Sequence, residues 1–189
     1  MNTRLMQDLL QHLASISTGF NPKRGKVVAH LAGGTAVNFY TDARMSDDMD
    51  IEWSHRVLLS MDQQSFMTED ADGDPVKVSV DAGFSDSIGL FHPDWKDDAT
   101  VVADLPQLTI KVISPVDLIV SKIGRFIERD RDDIRLIASH MPIDPEEVRV
   151  RAEEALDYYI GNEEYIRTSI KLAIEILEEC RNDDTGCKP

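Results

Sequence analysis

His30 to Trp53 reads HLAGGTAVNFYTDARMSDDMDIEW, and this stretch decides the reading of the chain. The short apolar run Val27 to Ala32 predicts a buried strand. Gly33 and Gly34 end it, where missing side chains let a ligand approach the backbone. Thr35 to Ala43 predicts a helix. Its first N–H groups and positive dipole end suit a phosphate, and the Thr35 hydroxyl can add a hydrogen bond. A second strand, Met49 to Trp53, follows the acids Asp47, Asp48 and Asp50. Residues two apart on a strand share a face, so Asp48 and Asp50 stand side by side and Asp47 points away. Two neighbouring carboxylates repel unless a cation neutralises them. A hard ion such as Mg²⁺ or Mn²⁺ takes oxygen ligands, can bridge to nucleotide phosphates, and can activate an attacking hydroxyl.

The flanking sequence supplies a mixed sheet with helices. Leu5, Leu9, Leu13 and Ile16 recur at helical spacing, with Gln7, Asp8 and Gln11 between them. The segment therefore reads as an amphipathic helix and not as a leader peptide. Val57 to Phe66 predicts another helix, Asp70 to Pro75 a turn, and Val76 to Val80 an alternating strand. Val101 to Ala103 and Leu108 to Ile113 predict further strands. Ser114-Pro115 caps and opens a long helix carrying Leu118, Ile119, Ile123, Phe126 and Ile127. Asp144-Pro145-Glu146-Glu147 opens the next helix, and the last runs through Ile166, Ile170, Ala173 and Leu177. Tyr158 and Tyr159 are expected in the core. The fold class is α/β (α+β), a short mixed sheet with flanking helices and a helical C-terminal region. The expected division is residues 1–140 for the sheet domain and 141–189 for a helical extension packed on it.

The 189 residues carry 35 acidic against 20 basic side chains, a formal net charge of −15. Whole-surface attraction to nucleic acid is not expected, since phosphate binding needs clustered Lys and Arg, although a local basic patch stays open. Arg125, Arg129, Arg131 and Arg135 form the one candidate basic surface. Cys180 and Cys187 have no zinc spacing, which points to a reducing, cytoplasmic setting. No run reaches the roughly 18–20 apolar residues of a membrane span. His30 reads as a core histidine. An exposed stripe on the last helix would be an oligomer or partner surface.

A second charged region, ISPVDLIVSKIGRFIERDRDDIRLI, covers Ile113 to Ile137. On an unbroken helix, Lys122, Arg129 and Asp133 lie within about 20° of one stripe, with Asp130 about 80° away. Asp130 could instead cap a following helix.

Together these segments resemble nucleotidyltransferases of the DNA polymerase beta superfamily. The resemblance rests on the Gly-Gly strand end, the short helix and the Asp-x-Asp strand. Arg44-Met45-Ser46-Asp47-Asp48-Met49-Asp50-Ile51 is similar to the form found in AbiE-type toxin enzymes. So are Ser114-Pro115-Val116-Asp117-Leu118, Lys122, and Arg129-Asp130 with Asp133. The resemblance covers about Val27 to Ile137. It implies a nucleotidyltransferase fold and transfer of a nucleoside monophosphate from an NTP to an acceptor: tRNA, a protein or a small molecule. It implies that Asp48 and Asp50 bind metal and that Lys122 contacts the phosphates. Gly33, Gly34, Thr35, Arg44, Ser46 and Asp133 complete the nucleotide site. A third metal carboxylate sits on the next strand in that superfamily, and Asp81 is the candidate. A toxin role would bring an antitoxin partner. Two other readings are a non-catalytic nucleotide- or partner-binding protein on this fold, and an antibiotic-modifying enzyme whose cationic substrate is drawn by the acidic surface.

Overall fold

A computed structural model describes residues 4–43, 45–70, 72–81 and 83–186. The elements run α1 (Arg4–Ser17), β1 (Val27–Leu31), α2 (Gly33–Thr41), β2 (Asp48–Trp53), β3 (Ser65–Glu69) and β4 (Pro75–Asp81). Then come β5 (Thr100–Asp104), β6 (Leu108–Val112), α3 (Pro115–Ile123), α4 (Glu128–His140), α5 (Pro145–Leu156) and α6 (Glu163–Gly186). The fold is mixed α/β of the α+β kind, as the hydrophobic periodicities require. The chain forms two compact units: one from residues 1–85 and 99–113, the other from residues 86–98 and 114–189.

The first unit holds a six-stranded sheet of order β3-β4-β2-β1-β6-β5. β1 pairs antiparallel with β2 and parallel with β6. β2 pairs parallel with β4, and the outer pairs β3–β4 and β5–β6 are antiparallel. Alternation assigns the faces: Ala29 and Leu31, Met49 and Ile51, Val78 and Val80, and Leu108, Ile110 and Val112 are buried. Leu5, Leu9, Leu13 and Ile16 of α1 are buried too, and α1 packs on β3 while α2 packs on β2. Each such aliphatic side chain contributes about 1.5–3 kcal/mol of burial. The opposite positions on the same strands are polar: Lys77, Ser79 and Asp81, Asp48, Asp50 and Glu52, His30, and Lys111. The Tyr40 hydroxyl donates to the Ile113 carbonyl at 2.7 Å and ties α2 to the end of β6.

Two expected elements differ. No helix forms over Val57 to Phe66. Leu58 and Met61 are 81% and 89% exposed, so the run has no buried stripe to hold a helix, and its end becomes β3. The β3–β4 hairpin closes as the sequence implies: the Asp70 carboxylate accepts from Asp72 N and Asp74 N, and Gly73 takes a positive φ. The long helix from Ser114 is two helices. α3 stops at Ile123, Phe126 adopts φ 52°, and α4 begins at Glu128. Gly124 sits where a Cβ would lie 2.7 Å from Leu90 N, so the 86–98 segment crosses closely over the end of α3.

In the second unit, α3 packs against α4 and α5, and α6 against α4 and α5. Ile166, Ile170, Ala173 and Leu177 of α6 are buried. Tyr158 and Tyr159, both expected in the core, lie just beyond the last turn of α5, with Tyr158 69% exposed and Tyr159 half-buried. Cys180 is half-buried, and Cys187 lies outside the described residues. Among the described residues, no helix is long and apolar enough to cross a membrane.

Candidate functional site: a carboxylate face beside a helix start

β1 delivers Gly33 and β2 delivers Asp50 to one point. Ala32 N donates to Asp50 O at 3.0 Å, extending the β1–β2 pairing to the first turn of α2. Gly33 has φ 53°, and a Cβ there would lie 1.8 Å from Asp50 Oδ2. Only glycine satisfies both demands, the left-handed backbone and the carboxylate resting against the Cα. Ala32 caps α2, and its side chain makes no capping hydrogen bond. The helix dipole and N–H groups there favour negative charge, first that of Asp50 and then that of an incoming anion.

The β2 pattern places Met49 and Ile51 in the core, with exposed Asp48 and half-buried Asp50 on the opposite face. The parallel register pairs Asp48 with Ser79 and Asp50 with Asp81. In-register residues on neighbouring strands stand about 4.8 Å apart on the same face. Asp81, suggested from its place after an alternating strand, is therefore the lateral neighbour of Asp50. Asp81 is exposed, and its Oδ1 accepts from Gly83 N at 2.8 Å. Among the described residues no three acidic, His or Cys side chains converge closely enough to hold a metal ion. The donor set still fits a hard divalent cation: three carboxylates on one face at adjacent positions, two of them exposed and able to change rotamer.

The hydroxyls of this segment face inward. Thr35 is fully buried and its Oγ1 donates to Met49 Sδ at 2.9 Å, so what Thr35 offers a ligand is its backbone. Ser46 is buried, and its Oγ donates to the Asp48 carbonyl at 2.8 Å, fixing the entry to β2. Arg44 lies outside the described residues.

Lys122 and Asp133 belong to the second unit. The Lys122 ammonium donates to Asp133 Oδ2 at 2.7 Å and lies 3.9 Å from Asp130 Oδ1. All three residues are buried. Asp130 caps α4, accepting from Ile127 N at 3.2 Å, and receives Arg125 through Nε and Nη2 at 2.8 and 2.7 Å. With α3 and α4 separate, the single stripe of an unbroken helix does not form; the chain reversal at Phe126 brings Lys122 onto Asp133 instead. The candidate basic surface is reduced in the same way. Arg125 is bound to Asp130, Arg135 to Asp132 at 3.0 Å, and Arg131 lies over the Phe126 ring.

Sequence reasoning missed Arg151. It clamps Asp117 through Nε and Nη2 at 2.8 and 3.1 Å, and Ser114 Oγ donates to the same carboxylate at 2.8 Å. The Ser-Pro-x-Asp start is thus a capped helix bolted to α5. Only the acidic partner was visible locally, because Arg151 lies in a different helix.

Over residues 7–179 the sequence matches the family described as "Nucleotidyltransferase of unknown function (DUF6036)". A search of curated proteins finds no match.

Proposed function

The chain belongs to this family of nucleotidyltransferases, and from that premise we propose that it moves a nucleoside monophosphate from an NTP to an acceptor with Mg²⁺ or Mn²⁺ as cofactor. The observation that carries the reading is the setting of Asp50. Gly33 lies against it, Asp48 is two residues away on its face, and Asp81 is opposite it in register. A divalent ion held by Asp48, Asp50 and Asp81 would neutralise phosphate charge and lower the pKa of the attacking hydroxyl. The protein's part is positioning and charge balance, which dominate phosphoryl-transfer chemistry. Gly33, Gly34 and the Thr35 backbone offer the N–H groups of α2 to the triphosphate, and Ser46 holds Asp48 in register. Arg44 is proposed to contact nucleotide on the strength of the resemblance alone. Lys122 and Asp133 enter as one ion-paired unit. One of the three Lys122 ammonium protons is given to Asp133, so a phosphate role would draw on the remaining donors or compete with that pair.

The test is transfer of label from each α-labelled NTP, with Mg²⁺ or Mn²⁺, to tRNA, protein and an aminoglycoside in parallel. The expected result is label on one acceptor, lost in the Asp48→Asn, Asp50→Asn double variant, which stays folded. Label on RNA or protein is what a toxin role with an antitoxin partner requires. Label on the aminoglycoside makes the chain an antibiotic-modifying enzyme. Full transfer by the double variant would sink the site. Nucleotide binding with no transfer to any acceptor would favour the non-catalytic binding reading.

A further inference from the structure

β2 starts at the carboxylates and ends, about 17 Å further along the strand, beside a second concavity of the sheet unit. Its volume is about 500 Å³, within the range of small-ligand sites, and Phe20, Val27, His55, Arg56, Val57 and Leu58 line it. The turn after β2 is fixed against β1: Ser54 N donates to Val28 O at 2.9 Å, and Val28 N donates to Ser54 Oγ at 2.8 Å. Ser54 Oγ also meets His55 Nδ1 at 2.8 Å, which holds the imidazole at the rim.

At this site an arginine without a carboxylate partner meets exposed apolar surface. Arg4, Arg125, Arg135, Arg149, Arg151 and Arg167 each hold a carboxylate. Arg56 has no carboxylate partner among the described residues, although acids outnumber bases 35 to 20. Beside it Leu58 is 81% exposed. Behind the Phe20 ring, which meets Trp53 edge-on at 6.2 Å, the Trp53 Nε1 donor is buried without a hydrogen-bond partner among the described residues. A guanidinium and an imidazole stand next to an aromatic ring and an aliphatic wall.

We propose that this pocket binds a small organic anion with a flat apolar body, such as an aromatic carboxylate, sulfonate or phosphate ester. Arg56 and His55 take the anionic group, and Phe20 and Leu58 cover the body. The site is separate from the carboxylate face and does not rest on the nucleotidyl-transfer reading.

The probe is 8-anilinonaphthalene-1-sulfonate, titrated by fluorescence into the full chain at low ionic strength. Arg56→Gln and Leu58→Ser, both at exposed positions, should each weaken binding about ten-fold while circular dichroism stays unchanged. Arg181→Gln, beside a different concavity in the helical unit, and the Asp48→Asn, Asp50→Asn variant should bind the dye like the parent. Unchanged affinity in Arg56→Gln, equal weakening in Arg181→Gln, or no binding by the parent would overturn the proposal.

Discussion

The chain carries two acid-rich runs with similar letters, Arg44-Met45-Ser46-Asp47-Asp48-Met49-Asp50 and Arg129-Asp130-Arg131-Asp132-Asp133, and the fold treats them oppositely. On the sheet unit, Asp48 and Asp81 are exposed and Asp50 rests against a glycine at a helix start. In the helical unit, Asp130 and Asp133 are buried and satisfied by Arg125, Lys122 and the α4 cap. Carboxylates left facing outward can serve a ligand that arrives later. Carboxylates sealed against internal cations serve the fold, because an unpaired buried charge costs several kcal/mol. Identical residue types therefore divide into candidate chemistry and architecture according to what surrounds them.

The largest expected effect falls on the sealed region. Lys122→Met leaves Asp133 buried without its cation and should cost about 3–5 kcal/mol in denaturant unfolding. A Lys122→Met protein of parental stability that fails only in nucleotide binding would erase the contrast and return Lys122 to the phosphates. On the open face the effect should reverse. Asp48→Asn with Asp50→Asn should lower turnover at least about a hundred-fold, about 2.7 kcal/mol of barrier, while stability falls by no more than about 1–2 kcal/mol. A large drop in melting temperature there would mean that these acids, too, hold the fold.

A sharper test couples the two sides of the open face. Gly33→Ala should destabilise by about 1–3 kcal/mol, from its positive φ and from the collision with Asp50. In an Asp50→Gly background part of that cost should vanish; purely additive costs would show that Asp50 does not press on Gly33. Tyr40→Phe should cost about 1–3 kcal/mol by leaving the buried Ile113 carbonyl without its donor, measured by chemical denaturation.

The smallest effect concerns pH. Burial alone would raise the Asp86 pKa, but hydrogen bonds from Lys96 and Trp95 outweigh it and hold the carboxyl below its ordinary value. A carboxyl depressed in the folded state contributes stability above its unfolded pKa and loses it as pH falls through the folded one. Asp86→Asn should therefore lower stability in the neutral region and flatten the acid limb, with variant and parent converging as pH falls through the folded pKa. An acid limb identical to the parent's would remove Asp86 from the pH response.

Much of the site was legible because its logic is local. The helix of Leu5 to Ile16, the strand alternation in Asp48 to Trp53 and the caps at Ser114 and Asp144 all rest on contacts within a few residues. Asp130 as the cap of a following helix was one of two readings open from the sequence, and the structure takes it. Val57 to Phe66 misled because helical spacing of apolar residues means little without a surface to bury them. The break after Ile123 was hidden for a related reason. Gly124 is a tolerable helix residue, and only the close passage of Leu90, from a segment far away in sequence, makes a glycine necessary there.

By itself the sequence determined that Asp48 and Asp50 share a face, since a strand repeats every two residues, and that glycines stand where β1 gives way to a helix; the structure starts that helix at Gly33, two residues before the expected Thr35, with the positive φ that favours glycine. Tertiary structure alone decided three further matters. The β2–β4 register made Asp81 the neighbour of Asp50. The reversal at Phe126 closed Lys122 onto Asp133. The packing of α5 brought Arg151 to Asp117. Each joins segments remote in the chain, and their pairing is fixed by which apolar faces are buried together, a property that no local spacing encodes.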